Sequence, residues 1–416
     1  MYTLDMIQRA LEGRLARLLE RFPCLLLFGA RQTGKSTLVS KCGLAHGRKY
    51  VTFDDPETVA AAKSDAEAFL GQAELLTIDE VQRRPDLFLH VKRCVDRERK
   101  PGRFLLTGSS AAELLSAGKA SALAGRAAIS ELGPLTLAEV EGRKPLDWLA
   151  LLRAPDAATA LRRLPKPVTS RETLRKRVMR GGLPPAWDAP DDESWREWMR
   201  GYRALYLEKD VLPIRRLSAP EDFLRFMTRL AYRSGGLLSL SDSARGAGVP
   251  LSSAQNYLRL LEGSCQWFKL APYHRNLGKR LVKSPKGYWF DSGVLAFLMG
   301  VAHWDEARDA DRLGALFETW IANEIRAATW LVSERLELHH WRTQTGVEVD
   351  FVLSLGERLL PLEAKASSSI TPKMLRGLET FLADHARNAP FGAVIYSGSE
   401  HRLLGPRMIA VSAAAL

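Results

Sequence analysis

The sequence is poor in cysteine and contains no long apolar run. Its 416 residues include only Cys24, Cys42, Cys94 and Cys265, and no two of them form a C-x-x-C pair. This spacing excludes a disulfide framework and a zinc ribbon. A membrane-spanning helix needs about 20 apolar residues, whereas the best apolar run, Cys24–Phe28, has the length of a strand. The first residues lack a basic stretch followed by an apolar one, so we expect a cytoplasmic chain with no secretory signal and no membrane partner.

Positive charge is in excess. The chain has 60 Lys and Arg against 48 Asp and Glu, which gives a formal net charge of +12. Either an anionic partner such as nucleic acid or a basic surface that maintains solubility would account for this excess. The rest of the composition, 46% hydrophobic and 26% charged, is typical of a globular protein, and the length predicts two or three domains.

Short apolar runs alternate with helical patterns over residues 1–140. This alternation predicts an α/β fold with a parallel sheet that is covered by helices on both faces. The strand candidates are Cys24–Phe28, Tyr50–Phe53, Leu75–Ile78 and Arg103–Thr107.

A glycine-rich loop follows the first strand. Gly29-Ala-Arg-Gln-Thr-Gly34-Lys35-Ser36 fits the P-loop pattern G-x4-G-K-[ST]. Its glycines allow backbone N–H groups to surround a phosphate, and the helix that follows adds partial positive charge. We expect the lysine to contact the β- and γ-phosphates and the serine hydroxyl to bind Mg²⁺. The motif predicts that ATP is bound by Gly29, Ala30, Arg31, Gln32, Thr33, Gly34, Lys35, Ser36 and Thr37.

A second strand candidate ends in two carboxylates, the Walker B pattern, at Ile78-Asp79-Glu80. We expect Asp79 to hold Mg²⁺ through water, and Glu80 to orient or deprotonate the attacking water. The pair therefore predicts ATP hydrolysis. The strand Arg103–Thr107 is followed by polar residues suited to sensing the γ-phosphate, and the candidates are Thr107, Ser109 and Ser110.

Arg126 is a further catalytic candidate. An arginine finger stabilises charge on the γ-phosphate of its own chain or of a neighbouring chain, and the second case requires a homo-oligomer. A solvated helical arginine is the alternative.

Several motifs together resemble one family, the AAA-superfamily ATPases of bacteria and archaea that carry a C-terminal domain of unknown function. The resemblance rests on Gly29–Leu38, Ile78-Asp-Glu-Val-Gln82, Leu106-Thr-Gly-Ser-Ser110, Leu123-Ala-Gly-Arg126, Arg180-Gly-Gly-Leu-Pro184 and the stretch from Lys279 to Gly293. It extends over most of the chain and implies an AAA ATPase core.

Residues 216–300 have the pattern of a winged helix-turn-helix. Two helices flank a turn at Gly248-Val-Pro, and a strand pair follows at Trp267–Tyr273 and Lys279–Val282. Such a unit binds DNA through its second helix and a basic wing, or docks a protein. The candidate DNA contacts are Ser253, Gln255, Asn256, Arg259, Arg275, Lys279, Arg280, Lys283 and Lys286.

Between these regions, residues 141–215 predict a helical lid or connector. Its basic run from Arg162 to Arg180 is either a solvated helical face or a place where a nucleic-acid backbone is held. The predicted domains are an ATPase core (1–140), this connector (141–215), the winged helix-turn-helix (216–300) and a C-terminal domain (301–416).

Paired carboxylates and a lysine mark the C-terminal domain. Alternate residues of a strand share a face, so Glu363 and Lys365 are expected to point together and Asp350 to approach from the neighbouring strand. Such a set can hold Mg²⁺ and activate water for phosphodiester cleavage. A helix followed by these strands resembles the PD-(D/E)XK nuclease fold, an α/β fold like that of restriction endonucleases, although Val349 stands where that motif has proline.

The helix before these strands carries two glutamates, Glu318 and Glu324. They are six residues apart, about 240° around a helix, so both cannot face the same site. The candidate nuclease residues are Glu318, Asp350, Glu363 and Lys365, with Glu324 as the alternative to Glu318.

Two functional hypotheses follow. The first is an ATP-hydrolysing machine that acts on DNA and cuts it with its C-terminal domain. The second is a nucleotide-controlled switch or scaffold whose C-terminal domains bind DNA or a protein without cleavage.

Overall fold

The computed structural model describes residues 7–109, 120–206, 220–273 and 284–416. Contacts divide the chain into two compact units. The first comprises Met1–Leu135 with Arg259–Gln266, and the second comprises Thr136–Leu258 with Trp267–Leu416. Within the described ranges, no helix has both the length and the apolar character needed to cross a membrane.

The first unit is built on a five-stranded sheet in which every neighbouring pair is parallel. The strand order is β2-β3-β4-β1-β5. The strands are β1 Cys24–Phe28, β2 Lys49–Thr52, β3 Leu76–Asp79, β4 Phe104–Gly108 and β5 Ala127–Glu131. The predicted parallel sheet is confirmed, and the four predicted strands lie within one residue of β1 to β4. The order places β4 between β1 and β3, so the loops that follow these three strands meet at one edge.

Helices cover this sheet, and their apolar stripes account for the pattern seen in the sequence. α5, for example, buries Leu87, Phe88, Val91, Cys94 and Val95 at helical spacing. The helices of this unit are α1 Glu12–Leu19, α2 Lys35–Lys41, α3 Pro56–Ser64, α4 Ala66–Gly71 and α5 Leu87–Arg97.

The second unit begins with helices, and the described part of residues 141–215 contains helices and no strand. Polar N-caps set several of these starts, as Asp147, Asp156 and Ser170 do by accepting backbone hydrogen bonds in the first turn. The helices are α6 Leu137–Val140, α7 Trp148–Leu152, α8 Ala157–Arg163, α9 Arg171–Arg180, α10 Pro184–Trp187 and α11 Asp192–Tyr206.

Three helices and a strand pair follow. They are α12 Pro220–Ala231, α13 Leu240–Ala247, α14 Leu251–Gly263, β6 Trp267–Leu270 and β7 Lys286–Trp289. α13 ends at Gly248, whose left-handed backbone makes the predicted turn. β6 pairs antiparallel with β7, and the predicted strand Lys279–Val282 lies outside the described residues.

A six-stranded mixed sheet forms the C-terminal part, in the order β12-β13-β11-β10-β9-β8. β10 is antiparallel to β9 and parallel to β11, and α16 and α17 both pack against it. The elements are α15 Ser292–Met299, α16 Glu306–Thr329, β8 Glu337–Arg342, β9 Glu348–Leu355, β10 Arg358–Lys365, α17 Arg376–Asp384, β11 Gly392–Tyr396, β12 Arg402–Gly405 and β13 Met408–Ser412.

Candidate functional site

The loop between β1 and α2 has the shape that the glycine motif predicts. Gln32 and Gly34 have left-handed backbones, with φ of 64° and 92°. At Gly29 a Cβ would lie only 2.3 Å from the carbonyl oxygen of Leu132, so no other residue fits without moving the backbone. The predicted nucleotide contacts from Gly29 to Thr37 all lie in this loop and the first turn of α2.

Lys35 is held inside the loop. Its side chain is 5% exposed, and Nζ donates hydrogen bonds to the carbonyl oxygens of Gly29 and Ala30, each at 2.8 Å. Burial lowers the pKa of Lys35, and the nearby Glu80 carboxylate opposes this effect. Arg9 fixes the loop from outside, since its guanidinium donates to the carbonyl oxygen of Thr33 at 2.7 Å.

Asp79 ends β3 at the same edge of the sheet and is 2% exposed. It accepts hydrogen bonds from the hydroxyls of Tyr50 on β2 and Thr107 on β4, and the Tyr50 oxygen lies 2.8 Å from Asp79 Oδ2. Partial burial and the Asp79 carboxylate raise the pKa of Tyr50 above its ordinary value, which keeps the hydroxyl a donor. The carboxylate is therefore held in place from both neighbouring strands.

Glu80 leaves the strand in a left-handed conformation, with φ of 55°. Gln82 Nε2 donates to Glu80 Oε2 and also to Ser109 Oγ, the latter at 3.0 Å. The amide of Gln82 thus joins the second carboxylate to the end of β4. Of the three candidates for sensing a γ-phosphate, Thr107 bonds Asp79 and Ser109 approaches Glu80, while Ser110 lies outside the described residues.

Arg126 lies at the opposite end of the sheet, where the parallel strands begin. It directly precedes β5, whose first residue, Ala127, is level with Cys24 at the start of β1, whereas the P-loop follows the end of β1. A five-residue strand spans roughly 13 Å. Arg126 Nε lies 2.5 Å from Asp96 Oδ1. The structure therefore does not support contact with the nucleotide of its own chain, and action on a neighbouring chain stays a prediction.

In the second unit, the structure brings together the carboxylates and lysine predicted on β9 and β10. Lys365 Nζ lies 2.7 Å from Glu363 Oε2 and 3.5 Å from Asp350 Oδ2. The backbone N–H of Ala364 donates to Asp350 Oδ2 at 3.0 Å. Burial and the neighbouring Asp350 raise the pKa of Glu363 well above its usual value. Burial opposes ionisation of Asp350, but Lys365 and Lys286 outweigh it and hold the pKa of Asp350 below its usual range.

The two glutamates of α16 have different surroundings. Glu318 Oε1 accepts hydrogen bonds from Tyr288 at 2.7 Å and from Lys286 at 3.0 Å, on the side that faces Asp350. Glu324 accepts a hydrogen bond from the backbone N–H of Leu137 at 2.9 Å. Glu318 is thus the helix residue that joins the C-terminal cluster, and Glu324 is not.

The prediction that Lys286 contacts DNA is wrong. Lys286 is the first residue of β7 and is 1% exposed. Alternate residues of a strand share a face, and the face that carries Lys286 and Tyr288 packs against α16 and β9. Lys286 Nζ lies 2.5 Å from Glu348, 3.0 Å from Glu318 and 3.3 Å from Asp350.

These residues do not fit the divalent metal that the nuclease resemblance implies. The ammonium of Lys286 already lies among the carboxylates of Glu318, Glu348 and Asp350. Across the described part of the chain, no group of three or more His, Cys, Asp or Glu side chains is arranged to hold a metal ion. A cavity of about 700 Å³ borders the cluster and is lined in part by Glu318, Asp350 and Lys365.

The other candidate DNA contacts are only partly described. On α14, Gln255 and Arg259 are exposed, while Ser253 and Asn256 are half-buried. The predicted contacts Arg275, Lys279, Arg280 and Lys283 lie outside the described residues.

The connector is not one open basic face. Arg177 and Arg180 are buried, and Arg180 bonds the Asp192 carboxylate at 2.8 Å. Arg171 and Arg175 both pair with Glu306. Only part of the predicted basic run therefore remains for an anionic partner.

Three family models match successive parts of the chain. An AAA domain matches residues 21–141, and two domains of unknown function, DUF8612 and DUF4143, match residues 171–305 and 313–416. The uncharacterized proteins Rv2008c of Mycobacterium tuberculosis and Mb2031c of Mycobacterium bovis are each 32% identical to it over 407 residues, 98% of this chain and 83% of theirs. The chain belongs to their family. Residues 21–141 thus form an AAA-type P-loop ATPase domain, which confirms that part of the prediction.

Solved structures to which this chain is similar include the Walker-type ATPase PABY2304 of Pyrococcus abyssi. It has a TM-score of 0.44 and 15% identity, over 71% of this chain and 96% of that one. The Aeropyrum pernix ORC1 protein, solved in complex with DNA, has a TM-score of 0.26 and 16% identity, over 70% of this chain and 92% of that one.

Three residues near the AAA domain's nucleotide loop and carboxylates have no role assigned from sequence: Arg9, Tyr50 and Gln82. Tyr50 lies on a neighbouring strand and Arg9 precedes α1, so only the tertiary fold brings them to the site. Gln82 carries the one usable signal, because it follows the acidic pair closely enough to bond Glu80.

Proposed function

We propose that this chain is a Mg²⁺-dependent ATPase whose hydrolytic centre lies at the carboxyl edge of the parallel sheet. The observation that carries the proposal is the pair of hydrogen-bonded carboxylates on that edge. Asp79 is bonded from β2 and β4, and Glu80 is bonded through Gln82 to the end of β4. A buried Asp79 and a half-buried Glu80, fixed in this way next to a P-loop lysine, suit phosphoryl transfer to water.

The donor set suits Mg²⁺ at this edge. The Ser36 hydroxyl is exposed on the first turn of α2, and Asp79 ends β3, so both offer the hard oxygen atoms that Mg²⁺ prefers. The ion, when bound, neutralises charge on the β- and γ-phosphates. Lys35 binds the same phosphates by exchanging its bonds to the Gly29 and Ala30 carbonyls for bonds to phosphate oxygens.

Glu80 is the base or orienting group for the attacking water. Its carboxylate accepts from Gln82, and Ser109 lies 3.5 Å away at the end of β4. This chain of polar groups connects the γ-phosphate side of the site with the second carboxylate. Rotation of Gln82 or Ser109 toward a phosphate would therefore change the orientation of Glu80.

Steady-state ATP hydrolysis tests the proposal with two matched pairs of variants. We expect Lys35→Ala to abolish ATP binding and Glu80→Gln to abolish turnover. The controls Lys63→Ala and Glu57→Gln, which alter exposed residues of α3, are expected to retain the wild-type rate. Turnover that survives Glu80→Gln at the wild-type rate would contradict the assigned role of Glu80.

We propose further that α12, α13, α14 and the strand pair form a winged helix-turn-helix that binds DNA. The support is the order of these elements, the left-handed turn at Gly248 and the exposed Gln255 and Arg259 on α14. Arg259→Ala is expected to lower the salt slope of DNA binding by about one. An unchanged slope, together with ATPase activity that is indifferent to DNA, would favour a protein partner instead.

The alternative function is a nucleotide-controlled scaffold whose C-terminal domains bind a partner without cutting it. Burial of Lys286 among the carboxylates favours this version over a nuclease. A DNA-nicking assay with Mg²⁺ or Mn²⁺ separates the two. Nicking that is lost in Asp350→Ala would establish the nuclease, and its absence in the wild-type protein supports the scaffold.

Arg126 belongs to the proposal only as a residue that acts on a neighbouring chain. Its place beside Asp96, at the edge away from the P-loop, suits contact with a second copy. Sedimentation with and without ATP tests whether a homo-oligomer forms.

A further inference from the structure

The C-terminal cluster already contains a cation of its own. Lys286 Nζ lies within 3.3 Å of one oxygen each of Glu318, Glu348 and Asp350. An ammonium has three N–H donors, and the three carboxylates match them. Oxygen ligands from a helix and a neighbouring strand are also what a divalent cation would use here. The ammonium and such an ion therefore compete for the same position.

Backbone pairing and aromatic packing, in addition to charge, fix the position of Lys286. Its backbone pairs with Leu270 on β6, and its strand neighbour Tyr288 donates to Glu318 at 2.7 Å. The Tyr288 ring lies between two others, with its centre 5.6 Å from that of Phe268 and 5.9 Å from that of Phe351. Moving the ammonium out of the cluster would disrupt this packing.

Two further carboxylate oxygens of the cluster, Asp350 Oδ2 and Glu348 Oε2, are also engaged. Asp350 Oδ2 accepts from the N–H of Ala364, and Lys365 lies beside it. Arg342 bonds Glu348 Oε2 at 2.6 Å. Four carboxylates, those of Glu318, Glu348, Asp350 and Glu363, therefore face three cationic side chains, those of Lys286, Arg342 and Lys365. A divalent ion would add two positive charges next to two ammonium groups.

We propose that Lys286 takes the place of the divalent metal in this nuclease-like cluster, so that the C-terminal domain binds no catalytic metal and does not cleave phosphodiesters. The inference deepens the scaffold alternative and rests on the proposed likeness of the domain to nucleases. The carboxylates then serve to anchor β7 to α16 and β9 through Lys286.

Mn²⁺ binding to the full chain, followed by electron paramagnetic resonance of the free ion, tests the proposal. Without nucleotide, the wild-type protein and Asp350→Asn are expected to give the same titration within twofold. Lys286→Met is expected to gain a site at least tenfold tighter, and the double variant Lys286→Met/Asp350→Asn to lose it. Nucleotide-independent Mn²⁺ binding by the wild-type protein that falls in Asp350→Asn would overturn the proposal.

Two further comparisons deal with a variant that does not fold and with Mn²⁺ that binds at the nucleotide site. If Lys286→Met does not fold, the comparison of the wild-type protein with Asp350→Asn decides alone, because it asks only whether Asp350 binds metal when Lys286 is present. Mn²⁺ that binds only with ATP and is lost in Asp79→Asn belongs to the nucleotide site. Failure of that last arm counts against the ATPase proposal and leaves the assignment of Lys286 intact.

Discussion

We expect the ionisation of Glu324, on α16, to make the stability of the folded protein depend on pH. Glu324 is 7% exposed, and its side chain accepts a hydrogen bond from the backbone N–H of Leu137 at 2.9 Å. Burial raises the pKa of Glu324 from 4.5 to about 7. Above that pH the folded protein holds a carboxylate that would be better solvated in the unfolded chain. Glu324→Gln keeps an oxygen acceptor for Leu137 and removes this charge.

The magnitude follows from the difference between the two pKa values. The pKa of Glu324 rises from 4.5 in its ordinary state to about 7 in the folded protein. Because one pKa unit corresponds to about 1.4 kcal/mol, ionising Glu324 in the folded protein costs about 3 kcal/mol more than in the unfolded chain. Because the pKa is raised on folding, the protonated group favours the folded state below pH 4.5, and this contribution is lost as the pH rises through 7. We therefore expect Glu324→Gln to change stability little at pH 4.5 and to stabilise by about 2–3 kcal/mol at pH 8.

Urea denaturation at both pH values measures the effect. The matched control is Glu379→Gln, which removes a carboxylate from the exposed face of α17 and is expected to show no gain that grows with pH. A Glu324→Gln protein that is less stable than wild type at pH 8, or that is stabilised equally at pH 4.5 and 8, would show that ionised Glu324 does not destabilise the fold. ATP turnover is expected to be unchanged.

Three further variants test the AAA domain. Gly29→Ala places a methyl group 2.3 Å from the Leu132 carbonyl oxygen, so we expect nucleotide affinity to fall at least tenfold in a fluorescent-ATP titration; wild-type affinity would contradict the loop geometry. Gln82→Ala removes the amide that orients Glu80, so we expect kcat to fall about 10- to 100-fold, equivalent to about 1.4–2.7 kcal/mol, while the affinity for ATP stays within threefold of wild type. An unchanged kcat would exclude this role of Gln82. Arg126→Ala is expected to reduce turnover only at protein concentrations where chains associate, and an equal loss in the dilute monomer would rule out action on a neighbour.

The sequence predicts the AAA core well because its signals are local. β1 is buried at all five positions, so its apolar run stands out, and the P-loop and acidic pair directly follow their strands. β5, Ala127–Glu131, escaped prediction because it is short and alanine-rich, and it leaves Ile129 exposed. Its place in the sheet comes from backbone pairing with β1 and not from a pattern of side chains.

Lys286 shows where such prediction fails. A lysine within a basic stretch is normally solvated, and the sequence places Glu318, Glu348 and Asp350 more than thirty residues away. Only tertiary contacts bring three carboxylates to one ammonium, which offsets the cost of burying it. The choice between Glu318 and Glu324 was open for the same reason, since helix geometry separates the two but does not say which one faces β9.

Glu80 is proposed to act in hydrolysis and not in nucleotide binding. Single-turnover hydrolysis of ATP and the affinity for ATP, both measured on the same Glu80→Gln protein, separate these two roles. We expect the variant to bind ATP within threefold of wild type and to hydrolyse it at least 100-fold more slowly, because Gln cannot accept the proton of the attacking water. Hydrolysis by Glu80→Gln at the wild-type rate, or a wild-type protein that binds ATP without hydrolysing it, would contradict this role of Glu80.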